Sequence, residues 1–391
     1  MTRTAPRRLD GVDGLRALAA LWVVLFHIRA FSGARLGPLD LLVRSGSTGV
    51  SLFLVLSGFC LYLPVARGGA GNFRTLRFLR RRAVRLLPAY YASLAVVLLV
   101  TVLTGGSIGL ARVSGIAVLV QTVTHVTMTH SLFPSTFYAL NGAYWSLALE
   151  WQLYLGLPLL VIAARRLGLA RTVALVVAVN VVYRVGLQLA IALHAVAGTS
   201  LMATAVLPNL LPGRWAEFGL GMVAAQLHAS GRIAGWAPHA GWAILGLVPL
   251  TAVAVLSQGS PLEHLLFGAV FFVLLCIVLS GRSWVSRAVS WRPLAAVGVM
   301  SYSLYLVHQP IVQAVCFALQ HTGSPRMVFV EVLLLVPGIL VVAWLLFVTV
   351  ERWTLRSTGG AEPGSPEALL LAPLNRLRRR PRPAEPVIEV A

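Results

Sequence analysis

The stretch Asp13-Gly14-Leu15-Arg16-Ala17-Leu18-Ala19-Ala20-Leu21-Trp22-Val23-Val24-Leu25-Phe26-His27 carries one cation near its start, one imidazole at its end and nothing ionisable between. A run this apolar reads as a helix that crosses a bilayer rather than one lying on a soluble core. Eleven steps of 100° bring His27 to within about 20° of Arg16, so both share one helix face, ~16 Å apart along the axis. Ionisable groups at such depth are costly, and only a cavity or a polar partner holds them there.

The rest of the chain has the same character. Of 391 residues, 58% are hydrophobic and 11% charged, which is bilayer composition. Apolar segments at 14–33, 47–66, 86–104, 146–164, 172–194, 207–228, 239–256, 262–281, 294–319 and 328–350 predict an all-α polytopic bundle of about ten transmembrane helices in one domain over 1–356. The mixed Gly, Pro, Glu and Arg stretch at 357–391 is expected to be a disordered tail. The Arg-bearing N-terminus lacks a clean small-residue cleavage site and is expected to persist as the first helix.

A formal charge of +20 would suggest nucleic acid if it sat on one soluble face. Instead the 32 basic residues are all arginine and gather beside apolar spans, at Arg77 to Arg85 and Arg376 to Arg382, which argues for lipid and against nucleic acid. With both termini in the cytoplasm, only Arg29, Arg35, Arg44, Arg112 and Arg326 face out, and Arg184 and Arg214 lie within spans. That asymmetry satisfies the positive-inside rule. A crossing at 110–130 would invert every later loop, so 105–145 is expected to be an external or re-entrant segment. The all-arginine usage, with abundant Ala and Leu, fits a high-GC bacterial genome. The expected location is the cell membrane.

Several polar groups interrupt the apolar spans. His27 as a neutral imidazole can take a proton from a hydroxyl; a His bonded to a neighbouring carbonyl is the competing reading. Arg82 and Arg85, at i and i+3, offer two guanidinium forks suited to phosphates, or are ordinary interfacial anchors. Glu150 shares a face with Ser146 and Tyr154 and could orient His27, stabilise its imidazolium, bind acceptor hydroxyls or serve packing alone. His308 shares a face with Ser301 and Tyr305, and Pro310 beyond it would free backbone carbonyls. Asn180, Arg184 and Gln188, and the pair Arg214 and Glu217, read first as interhelical polar glue and second as acceptor contacts. Cys60, Cys276 and Cys316 sit in apolar segments as core residues. No ligand spacing supports a metal site.

These residues resemble the acyltransferase 3 family of membrane acyltransferases. The likeness runs through Arg16 to His27 with ten residues between, then the Ser57-Gly58-Phe59 turn in the second span, and Arg82-Ala83-Val84-Arg85 with Pro88 and Tyr90. It continues through Trp145-Ser146-Leu147-Ala148-Leu149-Glu150 and Ser301-Tyr302-Ser303-Leu304-Tyr305-Leu306-Val307-His308, covering about residues 9 to 310. Trp151 stands where many members carry a second acidic residue.

The resemblance implies an enzyme that moves an acyl group, acetyl first, from acyl-CoA to a hydroxyl of a carbohydrate or secondary-metabolite acceptor. It implies His27 as a catalytic residue and Arg82 and Arg85 for the donor, which Arg16 is expected to join; Glu150 is expected to be catalytic beside His27, Ser146 and Tyr305 to bind substrate, and His308 to be structural or on the acceptor side. Acyl-CoA would be a substrate, with no cofactor bound permanently. No soluble hydrolase-like segment follows the last span, so the chain is expected to act alone or to pass its acyl group to a separate partner. A transporter or flippase of a polar small molecule is the alternative; it would call for symmetry between halves, and none is visible.

Overall fold

The computed structural model describes residues 9–33, 35–69, 71, 73–104, 116–234, 240–319, 325–355 and 370. The described residues hold helices and connections and no strand. Six helical stretches are long and apolar enough to cross a membrane: Asp10–Ser32, Gly37–Gly68, Thr75–Thr104, Trp145–Leu167, Leu169–Ala192 and Val330–Glu351. They make the chain a multi-pass membrane protein. Leu99, Val102 and Leu103 near the end of the third stretch, and Val182 and Leu189 in the fifth, point outward. A soluble domain would bury such side chains, and lipid receives them.

The principal helices are α1 (Asp10–Ser32), α2 (Asp40–Arg44), α3 (Gly49–Gly68), α4 (Thr75–Thr104), α5 (Ile116–Val126), α6 (Trp145–Leu167) and α7 (Leu169–Ala192). They continue as α8 (Leu211–Ala229), α9 (Ala240–Leu256), α10 (Glu263–Leu279), α11 (Trp284–Val289), α12 (Arg292–Val299), α13 (Ser301–Ala318) and α14 (Pro325–Leu346). Four of the expected spans differ in detail. The segment expected at 207–228 becomes a helix only at Leu211, after a 3₁₀ turn, because Pro208 and Pro212 lack the N–H that a continuous helix needs. The segment at 294–319 is two helices, divided at Met300. α9 and α10 are helical as expected but have 17 residues each. The tail expected at 357–391 lies outside the described residues except Leu370, whose carbonyl accepts a hydrogen bond from Trp344 Nε1 at 2.8 Å.

α1 is the axis of the bundle. Its first turn carries Asp10 and Asp13, favourable at a helix N-terminus, and Gly33 ends it in the left-handed region at φ 67°. It runs against α12 so closely that a Cβ on Gly298 would lie 1.7 Å from the Asp13 carbonyl oxygen. That contact fixes the axial register of α1, and therefore where Arg16 and His27 stand. The predicted polar glue ties α7 and α8 to each other, to α3 and to the loop before α10. Arg214 Nε lies 3.0 Å from Glu217 Oε2 and its Nη2 donates to Ser51 on α3. Asn180 donates to the Pro212 carbonyl, and Arg184 and Gln188 reach the carbonyls of the loop at Gly259 to Pro261.

Residues 116–145, the described part of the segment expected to lie outside or re-enter, pack onto α4 and α13. Tyr90 and Tyr91 donate to the carbonyls of His125 and Val126. Pro310 leaves the Leu306 carbonyl without its helical donor, and Asn141 Nδ2 supplies one at 2.9 Å. His125, in the last turn of α5, and His130 beyond it stack with centroids 4.0 Å apart, both fully buried. Burial first, and His125 beside it second, hold the His130 imidazole down at about 3. A folded value below the unfolded one means that protons favour the unfolded chain. The stabilisation is complete above about 6.5 and declines as pH falls toward 3, by about 2 kcal/mol at pH 5. The thermal midpoint of the purified protein is expected to drop between pH 7 and pH 5, and His130→Phe, which keeps the stack, is expected to flatten that slope.

Candidate active site

Inside the bundle, α1, α3, α4, α6 and α13 enclose a chamber of about 820 Å³, counting its open mouth. One end is cationic: Arg16 from α1 and Arg82 and Arg85 from α4 all line it. Two of the predicted donor residues thus come from the start of α4, where i and i+3 share a face, and the third arrives from α1. Arg82 Nε is buried without a hydrogen-bond partner among the described residues, and its guanidinium carbon lies 5.6 Å from the centre of the Phe78 ring. Desolvated guanidinium groups on a chamber wall are suited to a ligand that brings negative charge.

Glu150 stands in the same chamber. Tyr154 donates to its Oε1 at 2.5 Å and Ser57 of α3 at 3.0 Å. The i+4 tyrosine is the neighbour that helical spacing anticipates, whereas Ser57 is brought by tertiary packing. Ser57, Gly58 and Phe59 do not form the expected turn; they lie within the unbroken helix α3. A second carboxylate, Glu351, had no place among the sequence candidates. It is 2% exposed and its Oε2 accepts from the Ser303 N–H at 3.2 Å and the Ser303 hydroxyl at 2.5 Å. It lies in the electrostatic surroundings of Arg16 and Arg85. An acidic residue closing the last apolar run was the available signal.

The far end of the chamber is made by Ser146 and Tyr305, whose hydroxyl oxygens are 2.6 Å apart. Behind that wall lies the pair His308 and His27. The Tyr305 and His308 rings have centroids 5.2 Å apart, and those of His308 and His27 are 5.0 Å apart. His27 therefore does not touch Glu150, which was one expected orienting partner. His308 occupies that position, because α13 and not α6 packs beside this part of α1.

The hydrogen bonds assign the tautomers. His308 Nδ1 is 2.7 Å from the Tyr305 carbonyl oxygen, which can only accept, so Nδ1 carries the hydrogen and Nε2 a lone pair. That lone pair faces His27 Nδ1 at 3.4 Å. His27 Nδ1 is also 2.9 Å from the Val23 carbonyl oxygen, so it is a donor toward both. The basic nitrogen of His27 is then Nε2. A neutral imidazole held with Nδ1–H engaged and Nε2 available has the disposition of a general base. The sequence candidates thus fall into two groups: Arg16, Arg82, Arg85, Glu150, Ser146 and Tyr305 on the chamber, and His27 with His308 behind Tyr305.

Known proteins resemble the chain along most of its length. The profile of the acyltransferase 3 family, described as an acyltransferase domain, matches residues 9–348. The O-acetyltransferase OatA of Staphylococcus aureus (strain NCTC 8325 / PS 47) is 26% identical over 335 residues, covering 79% of this chain and 51% of that protein. The peptidoglycan O-acetyltransferase OatA of Listeria monocytogenes is 27% identical over 335 residues, covering 80% and 50%. The putative peptidoglycan O-acetyltransferase YrhL of Bacillus subtilis is 27% identical over 353 residues, covering 82% and 51%. The chain spans about half the length of these curated relatives. No solved structure matches it. With a family profile aligned from the start of α1 to the end of α14, and with the arginines and histidine of its motifs placed around one chamber and its end wall, the chain belongs to the acyltransferase 3 family of membrane acyltransferases.

Proposed function

We propose that the protein moves an acyl group, acetyl first, from acyl-CoA to a hydroxyl of a carbohydrate acceptor. The observation that carries this reading is continuity. A cationic chamber mouth leads to Tyr305, and His308 and His27 stand directly behind it. In the full topology, about ten spans place both termini in the cytoplasm, so Arg16, Arg82 and Arg85 meet the donor phosphates from that side. The acceptor comes from the opposite side, where 116–145 packs onto α4 and α13.

In the reaction, His27 Nε2 takes the proton of the acceptor hydroxyl as its oxygen bonds to the thioester carbonyl carbon. The C–S bond then breaks, and the CoA sulfur receives the proton from the imidazolium. In a two-step variant, Nε2 bonds to the carbonyl carbon as the C–S bond breaks to leave CoA thiolate, and the acceptor hydroxyl then displaces Nε2 from the carbon while its proton passes to the thiolate. Glu150, on the chamber wall, adds negative charge that favours imidazolium formation and balances the arginines.

His308 acts as a positioning residue in this scheme. Its Nε2 faces the Nδ1–H of His27 and stabilises the ring once it is protonated. His308→Ala is expected to lower kcat by ~10²-fold with little change in KM for acetyl-CoA, and His308→Gln, whose Oε1 can accept the same hydrogen bond, to recover part of the loss. Steady-state kinetics on the three proteins checks this; a purely packing role for His308 gives no difference between Ala and Gln at equal stability.

The names of the relatives point to peptidoglycan, and a glycan hydroxyl of that kind is the proposed acceptor class. Expression in a host without wall O-acetylation, followed by measurement of base-labile acetate on the purified glycan, tests it. Acetate that appears with the wild type and not with His27→Ala supports the reading. Glycan that stays unmodified, while an intact polar solute crosses the membrane, returns the protein to the transporter class.

A further inference from the structure

A second cavity, about 800 Å³ with its open side, lies on the loop and first turns that lead into α4. Its walls carry Phe73, Arg74, Arg77, Phe78, Arg81 and Arg82, over a floor that includes Leu61 and Pro64. Leu61 and Arg82 also line the chamber, so the two spaces meet at those side chains. Arg77, Arg81 and Arg85 follow one another at i, i+4 and i+8 along one face of α4, a stripe of about 12 Å that runs from this groove into the chamber.

Interfacial anchoring alone would account for arginines in this loop. It does not account for the aromatic rings among them. Phe73 and Phe78 have centroids 5.3 Å apart at 44°, and Phe78 meets Tyr154 of the chamber wall edge-on at 6.1 Å. Guanidinium groups recognise phosphates through paired N–H donors, and aromatic faces recognise flat bases by stacking. A groove that offers both, and opens into an acyl chamber, fits a nucleotide with an arm.

We propose that this groove binds the nucleotide end of the acyl donor. The adenine packs on the Phe73 and Phe78 rings, the ribose 3′-phosphate lies on Arg74 and Arg77, the diphosphate runs from Arg81 to the chamber arginines beginning at Arg82, and the pantetheine arm enters the chamber past Leu61. The proposal rests on the reading of acyl-CoA as donor. A phospholipid headgroup presents the same phosphate chemistry without the base.

The test compares acetyl-CoA, acetyl-3′-dephospho-CoA and acetyl-4′-phosphopantetheine as donors in nanodiscs of phosphatidylcholine with and without anionic lipid, for the wild type, Phe73→Ala and the triple variant Arg74→Ala/Arg77→Ala/Arg81→Ala. The triple variant is expected to raise KM for acetyl-CoA roughly 10- to 100-fold at near-normal kcat. Phe73→Ala is expected to raise it less, about tenfold at most. Acetyl-4′-phosphopantetheine, which lacks the nucleotide, is expected to show a high KM in all three proteins. Adenosine 3′,5′-bisphosphate should inhibit the wild type competitively and the triple variant far less.

An unchanged KM for acetyl-CoA in the triple variant, with normal wild-type turnover, overturns the groove while leaving the donor reading intact. So does a loss seen only in nanodiscs that contain anionic lipid, which assigns the arginines to a headgroup. Absence of wild-type turnover with every CoA thioester overturns the donor reading and this proposal together.

Discussion

His27→Ala is expected to lower acyl transfer by about 10³-fold or more while leaving the protein folded and able to bind acetyl-CoA. The size follows from the role: a general base contributes ~10²- to 10⁴-fold, and a nitrogen that also carries the acyl group contributes more. Retained binding follows from the geometry. The donor arginines line the chamber, whereas His27 lies on the other side of Tyr305, ~16 Å along α1 from Arg16. His27 is half-buried, hydrogen-bonds the Val23 carbonyl and packs its ring against Phe26, Phe31 and His308, contacts whose loss is expected to lower stability without unfolding the chain. Kinetics with acetyl-CoA, together with thermal unfolding and CoA binding on the same sample, checks all three parts. A KM effect without a kcat effect would move His27 out of the chemistry and into donor binding.

The second large effect concerns the helix crossing that supports the chamber. Gly58→Val is expected to abolish accumulation of folded protein, and Gly58→Ala to lower its stability by ~1–3 kcal/mol or more. A Cβ on Gly58 would sit 2.1 Å from the Phe218 carbonyl oxygen, and a Cβ on Gly221 would sit 2.1 Å from that of Val55. Both obstacles are backbone, which cannot rotate away, so α3 and α8 would have to separate. Such close crossings of small residues are how membrane helices gain packing where the hydrophobic effect gives none. Ser57, next to Gly58, holds Glu150, so the variant that folds at all is also expected to lose activity. Thermal unfolding in detergent at fixed pH measures the stability change directly.

The same motif shows where sequence reading ran out. Ser57-Gly58-Phe59 was conspicuous, but a glycine beside a serine in an apolar run is compatible with a turn and with a tight crossing. The partner that decides between them, Gly221, lies 163 positions away. What periodicity gives is the face of a helix. It placed Arg16 and His27 on one side of α1, and Tyr154 beside Glu150 on α6. It cannot say which helix that face meets, so the Ser57 hydroxyl that α3 brings to Glu150 is visible only in the packed bundle.

His308 fell under the same limit. Its neighbours Tyr305 and Pro310 were readable along α13, and the Leu306 carbonyl freed by Pro310 does find a donor, Asn141. Its contact with His27, 281 positions away, belongs to the packing of α1 on α13. Glu351 closes a run that hydropathy reads only as a span, and its partner Ser303 lies on another helix, 48 positions away. The helix boundaries that moved, at Leu211 and Met300, lie where prolines or short 3₁₀ and broken turns interrupt an apolar stretch that hydropathy alone reads as continuous.

The most direct test uses the purified protein in nanodiscs with acetyl-CoA labelled in the acetyl group and a peptidoglycan fragment as acceptor, counting label on the glycan and CoA thiol released. The account predicts label in a base-labile ester, thiol in equal amount, and loss of both in His27→Ala at unchanged CoA binding. Label that stays on CoA with the folded wild type, across short and long acyl chains and several glycan acceptors, would contradict it.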